Sequence, residues 1–247
     1  MNDNLIKVTE LVNTSNNIVF FGGAGVSTES GIPDFRSASG LYNKKNNNGL
    51  SPEVMLSHSY FMNHTNKFYD FYRANMLYLD AKPNKAHKAL AYLEEKGCLK
   101  AVITQNIDSL HQKAGSKTVY ELHGSVFRNY CMSCHKSYDL DYIIGTKEVP
   151  LCTCGGIVKP DVILYEEALD YKVIENAIKA IEASDVLIVA GTSLSVYPAA
   201  SFIDYYKGNK LILLIKHKQP WIIKLIYLLS EVSVRFWIIL LNRAYNP

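Results

Sequence analysis

The 247-residue chain is 48% hydrophobic and 20% charged, a balance that excludes a disordered tail, a coiled coil or a membrane bundle. Its length buries a substantial core in one large domain, or in one domain carrying an insert, and a net charge of only +3 gives no support to a direct nucleic-acid partner.

At the N-terminus, "MNDNLIKVTELV" has polar residues where a signal peptide would carry its apolar core, while Leu5, Val8 and Val12 share a helical face. A cytoplasmic protein opening on a helix is expected. The apolar run in "NIVFFGGAG" predicts a buried strand that ends at Gly23, Ala24 and Gly25. These glycines open onto "VSTES", so backbone N–H groups at a helix start are expected to face a pyrophosphate whose approach a side chain at either glycine would block. Alone, the loop reads equally as a plain strand-to-helix turn: Thr28 replaces the third glycine of the dinucleotide fingerprint, and no clear ribose-binding acid follows about 20 residues on.

From Asp34 to Pro83 the chain is rich in Tyr, Phe and Asn, and "FYDFYRANMLYL" has helical spacing, which predicts a helical insertion. Within it, "NKKNNNG" from Asn43 to Gly49 is expected to form a mobile loop. Asp34 suits either a cofactor contact or a cap on the following segment. "LKAVITQNID" predicts a second buried strand, and "ELHGSVFRNYC" comes shortly after it. Gln105, Asn106, Asp108 and His123 thus fall at or beyond strand ends, where a doubly wound sheet builds its sites.

Four of the five cysteines lie close together, Cys131 with Cys134 and Cys152 with Cys154, the pairs bracketing seventeen residues. Such pairs close a tetrahedron around zinc, and four thiolates leave no open position for water, so the metal is expected to be structural. His135 is read as a surface residue and Cys98, in "EEKGCLK", as helix-end packing. "VKPDVILYEEALD" is expected to return the chain to the sheet, and "SDVLIVAGTSLS" to add a third parallel strand ending at a glycine loop.

The fold expected is α/β, a doubly wound parallel Rossmann-like sheet with a small inserted zinc ribbon and a helical module. Residues 1–33, 84–126 and 158–247 are expected to form the discontinuous Rossmann-like domain, 34–83 the helical insertion with a cofactor loop, and 127–157 the zinc module.

Together, "GGAGVSTESGIPDFR", "TQNIDSLHQKAG", "ELHG", the cysteines, "KPDVILYEE" and "GTSLSVYPAA" resemble the sirtuin family, of bacterial type, in order from about Asn4 to Leu213. The resemblance implies an NAD-dependent protein lysine deacetylase acting on acetyl-lysine in proteins or peptides. It places Gly23, Ala24 and Gly25 at the cofactor phosphates, with Arg36 as a supporting cation and Asp34 as a further cofactor residue. Phe35 shields the nicotinamide ribose from water. Asn106 and Asp108 hold the ribose and the carboxamide, Asn106 also counting as catalytic; Gln105, Ile107, Gly191, Thr192 and Ser193 complete the cofactor set. His123 is the general base, suited to neutral pH by an ordinary pKa of about 6.5. His87 and His111 occur in family motifs but read as structural.

The chemistry explains these residue types. Loss of nicotinamide leaves an electron-poor sugar carbon, which a weakly nucleophilic acyl oxygen captures only if water is excluded. Val162, Ile163 and Tyr165 match positions at which an extended acyl-lysine peptide adds to exposed backbone. An ordinary buried strand would suit the valine and isoleucine but not two consecutive glutamates. Relatives that remove succinyl or malonyl groups carry Tyr-x-x-Arg; here Tyr72 follows Tyr69 at that spacing and Arg73 is one place late, turned about 100° away on a helix, which favours acetyl.

After Leu213 the family pattern fails. The stretch holds both tryptophans and is cut by Lys224, Glu231 and Arg235 too often for a membrane span of about 20 residues. It reads either as out of frame or as a divergent extension, and its apolar runs carry an aggregation risk. A monomer is expected. The competing functions are protein mono-ADP-ribosylation, or an inactive zinc-containing scaffold if the divergent C-terminus prevents NAD binding.

Overall fold

A computed structural model describes residues 3–35, 40–43, 49–214, 227–228 and 237. The strands among them are β1 (Ile18–Gly22), β2 (Leu99–Thr104), β3 (Val119–Glu121), β4 (Gly124–Cys131), β5 (Ser137–Tyr138), β6 (Val158–Val162), β7 (Val186–Ala190), β8 (Leu211–Leu214) and β9 (Tyr227–Leu228). The helices are α1 (Asp3–Thr14), α2 (Pro52–Met55), α3 (His58–Asn63), α4 (Thr65–Asn75), α5 (Lys85–Glu95), α6 (Leu110–Ala114), α7 (Leu140–Gly145) and α8 (Tyr171–Ala183).

β1 and β7 are apolar at nearly every position and buried along their whole length, as strands covered on both faces must be. They pair in parallel at the middle of a sheet ordered β3-β2-β1-β7-β8-β9, every pairing of which is parallel. Alternation along β1 sends Ile18 and Phe20 into one core layer with Val8, Val12 and Leu90, and Val19 and Phe21 into the other with Ile181 and Phe202. α1 and α5 therefore cover one face and α8 the other. Strand order reverses between β1 and β7, and such a reversal opens a crevice beyond the strands' carboxyl ends.

The remaining strands form a small antiparallel sheet, β5-β4-β6. The segment Val158–Val162, expected to return to the main sheet, pairs instead with β4. Its burial alternates, which suits an antiparallel strand with one face toward solvent and not a strand covered on both sides. Beneath it, Phe61, Phe68, Tyr69 and Tyr72 from the helical excursion share a single hydrophobic cluster with Val126, Cys131, Ile143 and Val158. Side-chain caps position the helices here, Ser57 accepting from the Tyr60 N–H at 3.1 Å at the start of α3.

Most of the expected Asn43–Gly49 loop and most of the stretch after Leu213 lie outside the described residues. Of the latter, β9 pairs with β8, and Trp237 is buried with its ring 6.0 Å from that of Phe20. Among the described residues no helix is long and apolar enough to cross a membrane.

Candidate active site at the sheet reversal

A cavity of about 330 Å³ occupies the crevice. Gly23, Ala24 and Gly25 after β1, Asp34 and Phe35 beyond them, Gln105 to Asp108 after β2, His123 between β3 and β4, and Gly191 to Ser193 after β7 all line it. So do Val162, Ile163 and Tyr165, from β6 and the turn that follows. Arg36 lies outside the described residues.

The glycine loop is built differently from the expectation. It holds two short 3₁₀ turns, Ala24–Val26 and Thr28–Ser30, in place of the start of a long helix. The N–H of Gly23 donates to Ala190 and that of Gly25 to Gly191, at 3.2 and 2.8 Å, while those of Val26 and Ser27 close the turn on Gly23 and Ala24. These four amides are thus engaged within the protein. The glycines answer first to the contact between loops. A Cβ on Gly25 would sit 2.8 Å from the Cα of Gly191, and one on Gly191, at φ 62°, would strike the Val26 amide nitrogen.

Behind that loop the Asn106 side-chain amide donates to Ser27 Oγ at 3.0 Å, and Ser27 Oγ donates to Asp108 Oδ2 at 2.6 Å. Asp108 Oδ1 accepts the Leu110 N–H at 2.9 Å. Burial raises the pKa of the Asp108 carboxyl, and the Ser27 and Leu110 hydrogen bonds partly offset that rise. Gln105 ties the β2 and β7 loops together, its amide donating to Thr192 Oγ1 at 3.2 Å.

His123 Nδ1 lies 2.9 Å from the carbonyl oxygen of Gln105. A carbonyl only accepts, so Nδ1 carries the proton and Nε2 keeps its lone pair. Burial lowers the ring's pKa below 6.5, with the Gln105 carbonyl pulling the other way, and the imidazole is neutral at physiological pH. The His123 carbonyl in turn accepts the Ile163 N–H at 3.0 Å, which fixes the segment after β6 to the histidine. Further along, Tyr165 donates to the Leu56 carbonyl at 3.0 Å and accepts from the His58 N–H at 2.9 Å, so its main chain is already engaged.

Two features escaped sequence reasoning, and a third was noticed only as a misfit. Ser27 stood in plain view two places after Gly25, but its role depends on partners far along the chain. The cavity also has an apolar wall, to which Leu41 and Met76 from the helical excursion and Val126 and Leu140 from the small module contribute. Glu166 and Glu167 line it as well. By contrast, Tyr69, Tyr72 and Arg73 are absent from the lining. The Arg73 guanidinium instead donates to the carbonyls of Ile143, Lys147 and Glu148 at 3.1, 3.3 and 2.6 Å.

The four clustered cysteines are not in the cavity lining. Their sulfurs lie within 4.8 Å of one another, with 3.5 Å between Cys131 and Cys154 and between Cys134 and Cys152. Zinc with Zn–S bonds of about 2.3 Å needs tetrahedron edges of about 3.8 Å, and the set fits. The Ser133 and Cys134 amides also point at Cys131 Sγ, at 3.4 and 3.5 Å, an arrangement that favours a thiolate.

The model of the Sir2 family matches residues 23–198. The chain belongs to the Sir2 family. Among Sir2 relatives, a Clostridium tetani protein named NAD-dependent protein deacetylase is 64% identical over 217 residues, covering 87% of this chain and 88% of its own. A Clostridium acetobutylicum protein of the same name is 62% identical over 216 residues, with the same coverage of both chains. A solved Sir2 structure with a p53 peptide and NAD+ superposes with a TM-score of 0.85 at 36% identity, over 98% of each chain. Another Sir2, with an inhibitor, 2'-O-acetyl-ADP-ribose and deacetylated p53 peptide, gives a TM-score of 0.84 at 36% identity, over 98% of this chain and 100% of that one. The family match begins at Gly23, the first residue of the cavity loop, and ends at Pro198, the last lining residue.

Proposed function

We propose that this chain is an NAD-dependent protein lysine deacetylase, transferring the acetyl group of acetyl-lysine to ADP-ribose with release of nicotinamide. The observation that carries this reading is His123, its Nδ1 proton held by Gln105 and its Nε2 free, in one cavity with Asn106, Asp108 and the glycine loop. The deacetylase names of relatives above 60% identity support it.

The cavity fits NAD in its place beyond the sheet's reversal and in the glycine loops and polar side chains that line it. Gly23, Ala24, Gly25, Asp34, Phe35, Gln105, Asn106, Ile107, Asp108, Gly191, Thr192 and Ser193 would hold it, with Arg36 as a further cation. When bound, NAD supplies an electron-poor ribose carbon as nicotinamide leaves. Phe35 and the apolar wall keep water from that position. Ser27 holds Asn106 and Asp108 in fixed orientations, so neither has to reorganise during the reaction. His123 Nε2 would take a proton from a ribose hydroxyl of bound NAD, while Nδ1 stays on the Gln105 carbonyl and fixes the ring's tautomer.

Val162, Ile163 and Tyr165 hold the acyl-lysine peptide against the opposite wall. Arg73 is engaged with the carbonyls of Ile143 and Glu148, and among the described residues no guanidinium lines the cavity for a second carboxylate, which favours acetyl over succinyl or malonyl. Zinc at Cys131, Cys134, Cys152 and Cys154 plays a structural part. The division into a sheet domain (1–33, 84–126, 158–247), a helical insertion (34–83) and a zinc module (127–157) is retained, with β6 contributing to the small sheet. A cytoplasmic monomer with no direct nucleic-acid partner completes the reading.

The test is incubation with NAD and an acetyl-lysine peptide, followed by mass spectrometry of every product. Nicotinamide, deacetylated peptide and O-acetyl-ADP-ribose in equal amounts are expected. A folded protein that releases no nicotinamide overturns the proposal, and ADP-ribose covalently on protein selects the transferase reading.

A further inference from the structure

The segment after β6 ends in two consecutive glutamates, and the structure gives them different anchors. Glu167 Oε2 accepts from the Leu164 N–H at 2.8 Å and the Lys159 ammonium at 3.0 Å, while Oε1 lies 2.9 Å from His58 Nδ1. Glu166 has φ 76°, in the left-handed region that side chains other than glycine disfavour. Its carboxylate is gripped at two points by Ser59, the N–H donating at 2.8 Å and the hydroxyl at 2.9 Å.

These bonds form a continuous seam. Tyr165 pairs through its main chain with Leu56 and His58, and Glu166 extends the pairing to Ser59 through its side chain. At the other end Ile163 is bonded to the carbonyl of His123. A disfavoured backbone conformation persists only where its surroundings over-determine it, and such residues gather at ligand clamps. Here the grip on the carboxylate supplies that over-determination. Alanine would keep the strain and lose the grip; glycine would lose both, and would add freedom that a docking peptide must remove.

We propose that Glu166 is a positioning residue for the acyl-lysine peptide: clasped by Ser59 at the start of α3, it holds the 163–167 main chain in the form that lines the cavity. This rests on the reading of the cavity as an acyl-lysine site. Glu166 acts through Tyr165 and Ile163 and does not touch the reacting atoms. The cofactor wall, from Gly23 to Gly25 and Gly191 to Ser193, stands on other strands, so the clasp governs the peptide and not NAD.

The full chain is compared with E166A, E166G and E166Q. Loss of a charge-assisted pair of hydrogen bonds is expected to raise the peptide KM about tenfold in E166A and E166G, with the NAD KM within about twofold. In E166Q the amide oxygen accepts from the Ser59 N–H and its NH2 donates to the hydroxyl, which is expected to return the peptide KM to within about twofold of the parent. Hydrogen exchange in the free protein gives a readout independent of activity: the Leu164 and Tyr165 amides should exchange about tenfold faster in E166A and E166G, with those of β1 and β7 unchanged. A peptide KM unmoved in E166A and E166G overturns the proposal whatever the exchange rates. So do parallel rises in the peptide and NAD KM with a lower melting temperature, which assign Glu166 to general stability. If the parent releases no nicotinamide, the deacetylase reading fails on its own and the exchange rates alone decide the clasp, unchanged rates overturning it.

Discussion

Ser27 Oγ reaches Asp108 Oδ2 at 2.6 Å, joining the loop after β1 to the loop after β2. The same oxygen accepts from Asn106, so one hydroxyl orients two cavity residues. In S27A the buried Asp108 carboxylate loses a hydrogen bond that lowers its pKa, which therefore rises further. NMR titration of the Asp108 carboxyl carbon should show the upward shift. kcat/KM for NAD should fall about tenfold, near the value of one charge-assisted hydrogen bond.

His123→Ala should still bind NAD, since the glycine loops and Asp108 remain, but nicotinamide-linked deacetylation should fall by about 10²–10⁴, the usual contribution of a positioned base. Calorimetry and product quantification separate the two effects. Burial lowers the histidine's pKa, so the protonated, inactive form appears only below the ordinary 6.5. The midpoint assigned to His123 in the pH profile of kcat/KM should accordingly lie below that value.

Two further histidines bear on acid stability. His87 and His111 are buried with ring centroids 4.7 Å apart. Burial lowers His87 to about 4, and burial with the charge of His87 lowers His111 to about 3. The unfolded chain takes up these protons near pH 6.5 and the folded chain does not, so their stabilisation is complete above 6.5 and is lost as pH falls toward the folded values. His87 alone accounts for a loss on the order of 3 kcal/mol by pH 4. Urea midpoints between pH 7.5 and 4.5 should show the decline. H111L should flatten it, also removing two buried ring nitrogens that have no hydrogen-bond partner among the described residues.

Chelation of zinc, or C134S, should lower the melting temperature and weaken the peptide KM more than NAD affinity. Cys131 and Cys152 lie in one hydrophobic cluster with Val162 and Leu164, next to the peptide wall, whereas β1 and β7 belong to other layers. Metal analysis, scanning fluorimetry and separate titrations of the two substrates test this.

What was legible in the sequence is what residue type and local spacing encode. Cys131, Cys134, Cys152 and Cys154 declared a tetrahedral site because few other arrangements use thiol pairs so close together. β1 and β7 declared a parallel core by their unbroken apolar runs. His123 was legible through family resemblance, but its tautomer depended on the carbonyl of Gln105, which only folding brings near. Gly25 was legible as a glycine the loop needs, but the neighbour that also demands it was not: the backbone of Gly191, which follows β7 far along the chain. The Val158–Val162 strand was misplaced because an alternating pattern fixes a strand's faces and not the sheet it joins. Glu166 drew attention as a misfit, and only its φ and its bonds to Ser59 explain it.

The aromatic cluster beneath β6 has a mechanical corollary. Tyr69 and Val158 come from two separate excursions away from the main sheet, yet they share one core, and the Tyr69 hydroxyl bonds to the Val158 carbonyl. Each excursion is tethered to the sheet at both of its ends. A displacement of either one would have to carry its neighbour along or open the apolar core between them.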